Sequence, residues 1–93
     1  MVIGVLTVHL HLFGISSLKD KRHIVKSVIE RLKNRFNVSV AEVDHNDSHT
    51  TAVIGISAIS NDRRFLEEML DKAVHFIHND GRFHLGQIDR EFF

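Results

Sequence analysis

The 93-residue sequence has no cysteine, no proline, only five glycines and no net formal charge. Without cysteine there is no disulfide framework, no thiolate zinc site, no CxxC redox pair and no cysteine nucleophile. Such a composition suits a reducing cytosol. With no proline, little glycine and no low-complexity stretch, nothing reads as a linker or a disordered tail. Long hydrophobic runs are missing too. The apolar run from Val2 is interrupted at His9 and His11, far short of the ~20 residues that a membrane span needs. The N-terminus also lacks the basic region and small-residue cleavage site of a secretory leader. The expectation is a cytoplasmic protein with one domain over residues 1–93, large enough for one modest core.

The zero net charge conceals a division. The stretch Ser17 to Phe36 holds seven of the twelve Lys and Arg residues, against only Asp20 and Glu30. Its local charge is +5, so the remainder of the chain carries −5. The same stretch places Val25, Val28, Ile29, Leu32 and Phe36 on one helical face, a buried stripe by its spacing. Ser17 is the candidate N-cap, and Asp20 three residues later completes a capping-box pattern.

Around this helix, residues 2–12 read as a strand with Leu6, Val8, Leu10 and Leu12 on one face and Thr7, His9 and His11 on the other. Phe13 to Ser16 is a turn. Val38 to Val43 is a second strand, followed by an acidic loop at Asp44 to Asp47. Thr51 to Ile59 is a third strand with Ile54, Ile56 and Ala58 facing inward. Ser60, Asn61 and Asp62 offer caps for a second helix that runs to about Asn79. Phe83 to Phe92 closes the chain as a fourth strand, bulged near Gly86 where the alternation slips. The order β-α-β-β-α-β, with right-handed crossovers, predicts an α+β ferredoxin-like sandwich: a four-stranded antiparallel sheet with both helices on one face.

Ser17-Leu18-Lys19-Asp20-Lys21-Arg22, then Arg35 to Val43, then Val53-Ile54-Gly55 and Ser60-Asn61-Asp62 resemble, in that order and spacing, the small bacterial YlxP-like family of unknown function. The similarity spans nearly the whole chain. It implies a ferredoxin-like fold with no known cofactor and no established catalytic residues. It also implies a gene neighbourhood of transcription-elongation and translation-initiation factors, which hints at RNA- or ribosome-linked work. This chain departs from the pattern at Ser48-His49-Thr50, where relatives often carry an aromatic.

The candidate site is the basic helix. Lys19, Arg22, Lys26 and Lys33 fall on one flank of the apolar stripe. Arg31 and Arg35 fall on the other, where their stems can cover apolar surface. Lys19, Lys21 and Arg22 crowd a first turn, where cations oppose the helix dipole. Broken local rules of this kind mark functional sites. Free N–H groups and cations together favour phosphate, so Lys19, Lys21, Arg22, Lys26 and Lys33 are the candidate nucleic-acid or anion-binding residues. The expected function is a non-catalytic module acting on RNA or ribosomal phosphates. Opposed to this stands the plain reading of a solvated charged face.

The exposed sheet positions, Val5, Thr7, His9, His11, Val53, Gly55, Ser57 and Ile59, include no Phe, Tyr or Trp for base stacking. RNA would then be held by its backbone or shape. The partly apolar face also invites a homodimer, so a protein-interaction module without nucleic-acid binding is the alternative. A phosphate-ester hydrolase is a lesser one. Phe13 to Ser17 lacks the arginine-bearing, glycine-rich loop that acylphosphatases of this topology use, and no Ser-His-Asp, HExxH or Walker pattern is present. Eight histidines raise a metal question, with His45, Asp47 and His49 the most plausible trio, but pairs of histidines do not make a site. No metal site or cofactor is expected.

Overall fold

The computed structural model describes all residues, 1–93. Four strands and two helices alternate along the chain: β1 (Val2–Leu12), α1 (Leu18–Arg35), β2 (Ser39–Asp44), β3 (Thr51–Ser60), α2 (Arg63–His78) and β4 (Phe83–Phe92). The strands form one sheet in the order β2-β3-β1-β4, and every neighbouring pair is antiparallel. This is the α+β ferredoxin-like arrangement read from the sequence.

Period-two alternation explains the strands. Leu6, Val8, Leu10 and Leu12 of β1 and Ala52, Ile54, Ile56 and Ala58 of β3 are buried, because side chains two apart share a face. The helices supply the other half of the core through Val25, Val28 and Leu32 of α1 and Leu66, Leu70, Ala73 and Ile77 of α2. Both helices cover the same face of the sheet, and the other is open.

Local chemistry sets the element ends. Ser17 Oγ accepts a hydrogen bond from the Asp20 amide at 3.2 Å, and Asp62 Oδ1 accepts from the Phe65 amide at 3.3 Å. Each satisfies a donor that the first turn leaves free. The slip near Gly86 is a bulge. Val8 pairs with Ile88 and Leu10 with Leu85, so Gly86 and Gln87 together oppose His9. A Cβ at Gly86 would lie 2.6 Å from His11 Nε2, a second reason for glycine there. One exposure differs from expectation. Val53 lies on the open side but is only 4% exposed, flanked by His9 on β1 and by the irregular end of β2 at Asp44. No helix is long and apolar enough to cross a membrane.

Candidate anion and nucleic-acid interface

Helix α1 carries its cations on two very different surfaces. Lys19, Arg22, Lys26 and Lys33 are exposed and none of them makes an ion pair. Spaced i, i+3, i+7 and i+14, they form one straight row on the outward side of the helix, about 21 Å long at 1.5 Å per residue. Lys19, Arg22 and Lys26 line a shallow depression of about 210 Å³, joined by His23. His23 was not among the expected residues. Its position, four residues after Lys19 and three before Lys26, is the signal that places it on this face.

Lys21 is a correction. Expected to bind an external anion, it is fully buried and cannot reach one. Its Nζ lies 2.5 Å from Glu42 Oε2 and donates to the His45 carbonyl at 2.7 Å. Glu42 Oε2 is sealed from solvent and takes no hydrogen bond from any other group. The reason is geometric. Lys21, Val25, Val28 and Leu32 follow i, i+4, i+7 and i+11, so Lys21 sits in the apolar stripe itself. There a charge is tolerable only with a partner, and β2 supplies it. The pair also ties the first turn of α1 to the β2–β3 loop, where His45 adopts a left-handed φ of 57° and its amide is held by Asp44 Oδ1 at 2.7 Å.

The two arginines on the other flank lie across an aromatic ring and remain exposed. Arg31 and Arg35 lie over the Phe76 ring, 5.1 and 5.2 Å from its centroid. Arg31 also reaches Asp80 at 3.2 Å, the carboxylate that Arg82 binds at 2.6 Å. The Arg82 hydrogen bonds hold the Asp80 carboxyl below its ordinary value of 3.8, outweighing the opposite pull of burial. The same contact raises Arg82.

The open sheet face has the opposite character. Register places Asp89 beside Thr7 and Glu91 beside Val5, and no Lys or Arg lies on this face. The rings there are histidines and two phenylalanines, Phe13 and Phe93, the latter paired with Ile3 at the end of the sheet. His11 stacks on His84 at 5.0 Å, and Phe13 lies 5.5 Å from His84. This cluster was not legible from the strands singly, since it depends on the His11–His84 register. It lies across the sheet from the row of cations. No three His, Asp or Glu side chains converge into a set that could hold a metal ion, and His45, Asp47 and His49 are no exception.

A family model described as "Protein of unknown function (DUF503)" matches residues 3–90. The chain belongs to this family. Among curated proteins, the uncharacterized protein YlxP of Bacillus subtilis (strain 168) is 35% identical over 66 residues, covering 71% of this chain and 72% of that protein. Among solved structures, the apo form of LarC2, the C-terminal domain of a cyclometallase involved in the synthesis of the NPN cofactor of lactate racemase, overlaps at a TM-score of 0.42 and 9% identity. That overlap takes in all of this chain and 56% of the other, too loose a likeness to bear on activity. In this DUF503 chain the distinctive chemistry is therefore the row of unpaired cations and the acidic face behind it.

Proposed function

We propose that this DUF503 protein is a cytoplasmic, non-catalytic module that binds RNA, free or ribosomal, through phosphate contacts from Lys19, Arg22, Lys26 and Lys33. The observation that carries this reading is the ion-pair pattern. Six cations are engaged by carboxylates, Lys21, Arg31, Arg63, Arg64, Arg82 and Arg90, while the four on the outward row of α1 are not. A straight, unpaired cationic row matches a phosphate backbone and carries no base-reading geometry. The gene neighbourhood implied by the family resemblance points the same way.

The polarity of the fold supports the helix layer as the contact surface. RNA-recognition domains of this topology stack bases on the open sheet. Here that sheet presents Asp89 and Glu91 and no cation, so it repels phosphate.

The test is a salt titration of RNA binding for wild type and a Lys19→Ala/Arg22→Ala/Lys26→Ala variant. Four contacts to single-stranded RNA give a log–log slope of roughly −3, and the variant, with one contact left, should flatten to about −0.7. A wild-type slope near zero, or an equal slope in both proteins, refutes the reading.

A second reading rests on a different observation. On the open face a depression of about 240 Å³ is lined by Val5, Ala41, Val43, Gly55 and Ser57, among others, with Val43 56% exposed. We infer that a second copy covers it, since a two-fold pair brings a patch against itself and an uncharged apolar patch is self-complementary. Sedimentation at rising concentration tests this. Val43→Glu should shift the protein toward monomer, and a wild type that stays monomeric at tens of micromolar refutes the pairing.

A further inference from the structure

Six Lys and Arg side chains make no ion pair, and four of them form the row on α1. The other two, Arg35 and Lys72, line the same groove at the opposite end of the helix layer. Two adjoining depressions of about 470 and 390 Å³ share Arg35, Phe36 and Lys72. The first is extended by Phe76, the second by Ile59, Phe65 and Met69. Phe65 is 55% exposed and Ile59 59% exposed, an apolar floor that the fold itself leaves uncovered.

The electrostatics of this groove are one-sided. Its two carboxylates are already matched: Glu68 by Arg64 at 3.3 Å and Asp71 by Arg90 at 2.8 Å. Neither arginine lines the groove. Arg35 is steered by Phe76, whose ring it covers, and Lys72 by no carboxylate. What remains is an aromatic and aliphatic floor with two unmatched positive charges above it.

We propose that this groove is a docking site for an acidic amphipathic helix of a partner protein. Apolar side chains of the partner, at i, i+3 or i+4 and i+7, would enter between Phe36, Phe65 and Met69. Its carboxylates would meet Arg35 and Lys72. RNA is a poor occupant, because the groove offers only two unmatched cations over a floor of Phe36, Ile59, Phe65 and Met69, while the row on α1 offers four cations and no apolar floor. The groove is independent of the phosphate contacts proposed above, so one site can fail without the other.

The experiment is an NMR titration of the full chain with a synthetic amphipathic peptide bearing leucine on one face and glutamate on its flanks. A second peptide carries lysine for every glutamate. The acidic peptide should move the resonances of Ile59, Phe65, Met69 and Lys72, and the lysine peptide should not. Arg35→Glu/Lys72→Glu, both exposed substitutions, should weaken the acidic peptide by about tenfold or more and admit the lysine peptide instead. Phe65→Ser should weaken both. No movement of these resonances, equal movement by both peptides, or an unchanged preference in the double variant overturns the proposal. So does movement with protein concentration alone, which would make a second copy the occupant. Unchanged RNA binding by the double variant would show that the two surfaces act separately.

Discussion

Replacing Lys21 with alanine is the sharpest test of the reasoning about α1. The side chain is fully buried, and its ammonium is the sole partner of a sealed Glu42 oxygen. Truncation leaves that carboxylate without its partner, and it strips the His45 carbonyl of its donor. Removing one member of a buried pair costs about 3–5 kcal/mol. A domain of this size has a total stability of roughly 5–14 kcal/mol, so Lys21→Ala removes between about a fifth and all of it. Each kcal/mol lowers the melting temperature by about 4–8 °C in domains of this size, giving a drop of roughly 12–40 °C. Urea and thermal unfolding followed by circular dichroism read this directly. Replacing both partners, Lys21→Met with Glu42→Leu, should be neutral or stabilising by about 1–4 kcal/mol, and it distinguishes lost pairing from lost packing even when the single variant fails to fold. A cost of about 1 kcal/mol or less for Lys21→Ala, the worth of an exposed pair, would refute the buried-pair account. The double variant should also keep the wild-type salt slope for RNA, since Lys21 faces no ligand.

Three further outcomes follow from the local geometry. Ser17→Ala removes the cap on the Asp20 amide and should cost about 1 kcal/mol in urea unfolding. Asp80 has its folded value depressed by Arg82, so its stabilising contribution is complete above the ordinary carboxyl value and is lost as pH falls through the lower folded one. Stability measured from pH 6 to pH 2 should therefore fall less steeply in Asp80→Asn than in wild type, and parallel curves would refute the Asp80–Arg82 assignment. Gly86→Ala places a methyl group against His11 and should separate the His11 and His84 rings, seen as lost ring-current shifts. The unfolding cost should be only about 1 kcal/mol or less, because the exposed imidazole can swing away.

The elements were legible because their signals are local. Alternation in β1 and β3, the stripe in α1, the Ser17 cap and the slip at Gly86 each occupy a few consecutive residues, and the observed boundaries fall within about two residues of those read from the pattern. The site was legible in composition and not in pairing. Lys19, Arg22, Lys26 and Lys33 stand where the helical wheel puts them. Lys21 has the same chemistry but a different partner, and only Glu42, twenty-one positions away, turns it from a ligand into a core residue. The wheel did hold the clue, since Lys21 continues the line of Val25, Val28 and Leu32. The imidazole stack and the groove had no comparable clue. Each is assembled from residues of separate elements, and antiparallel register or helix contact decides their meeting.

The division of charge along the chain becomes a division in space once the pairs are drawn. The excess of +5 in the stretch Ser17 to Phe36 is reduced where Arg31 and Lys21 find carboxylates outside it. Beyond α1 every cation except Lys72 is spent on an acid: Arg63 on Glu67, Arg64 on Glu68, Arg82 on Asp80 and Arg90 on Asp71. The unpaired positive charge then lies wholly in the helix layer, while Asp89 and Glu91 face the other way. A phosphate polymer approaching this neutral protein meets attraction on one side and repulsion on the other. Reversing the open face with Asp89→Lys/Glu91→Lys, at positions that form no ion pair, separates orientation from net charge. If binding is confined to α1, this change should leave the Lys19/Arg22/Lys26 triple variant as defective as before. If the added charge restores binding to the triple variant, attraction is only the sum of charges and the helix row has no special role.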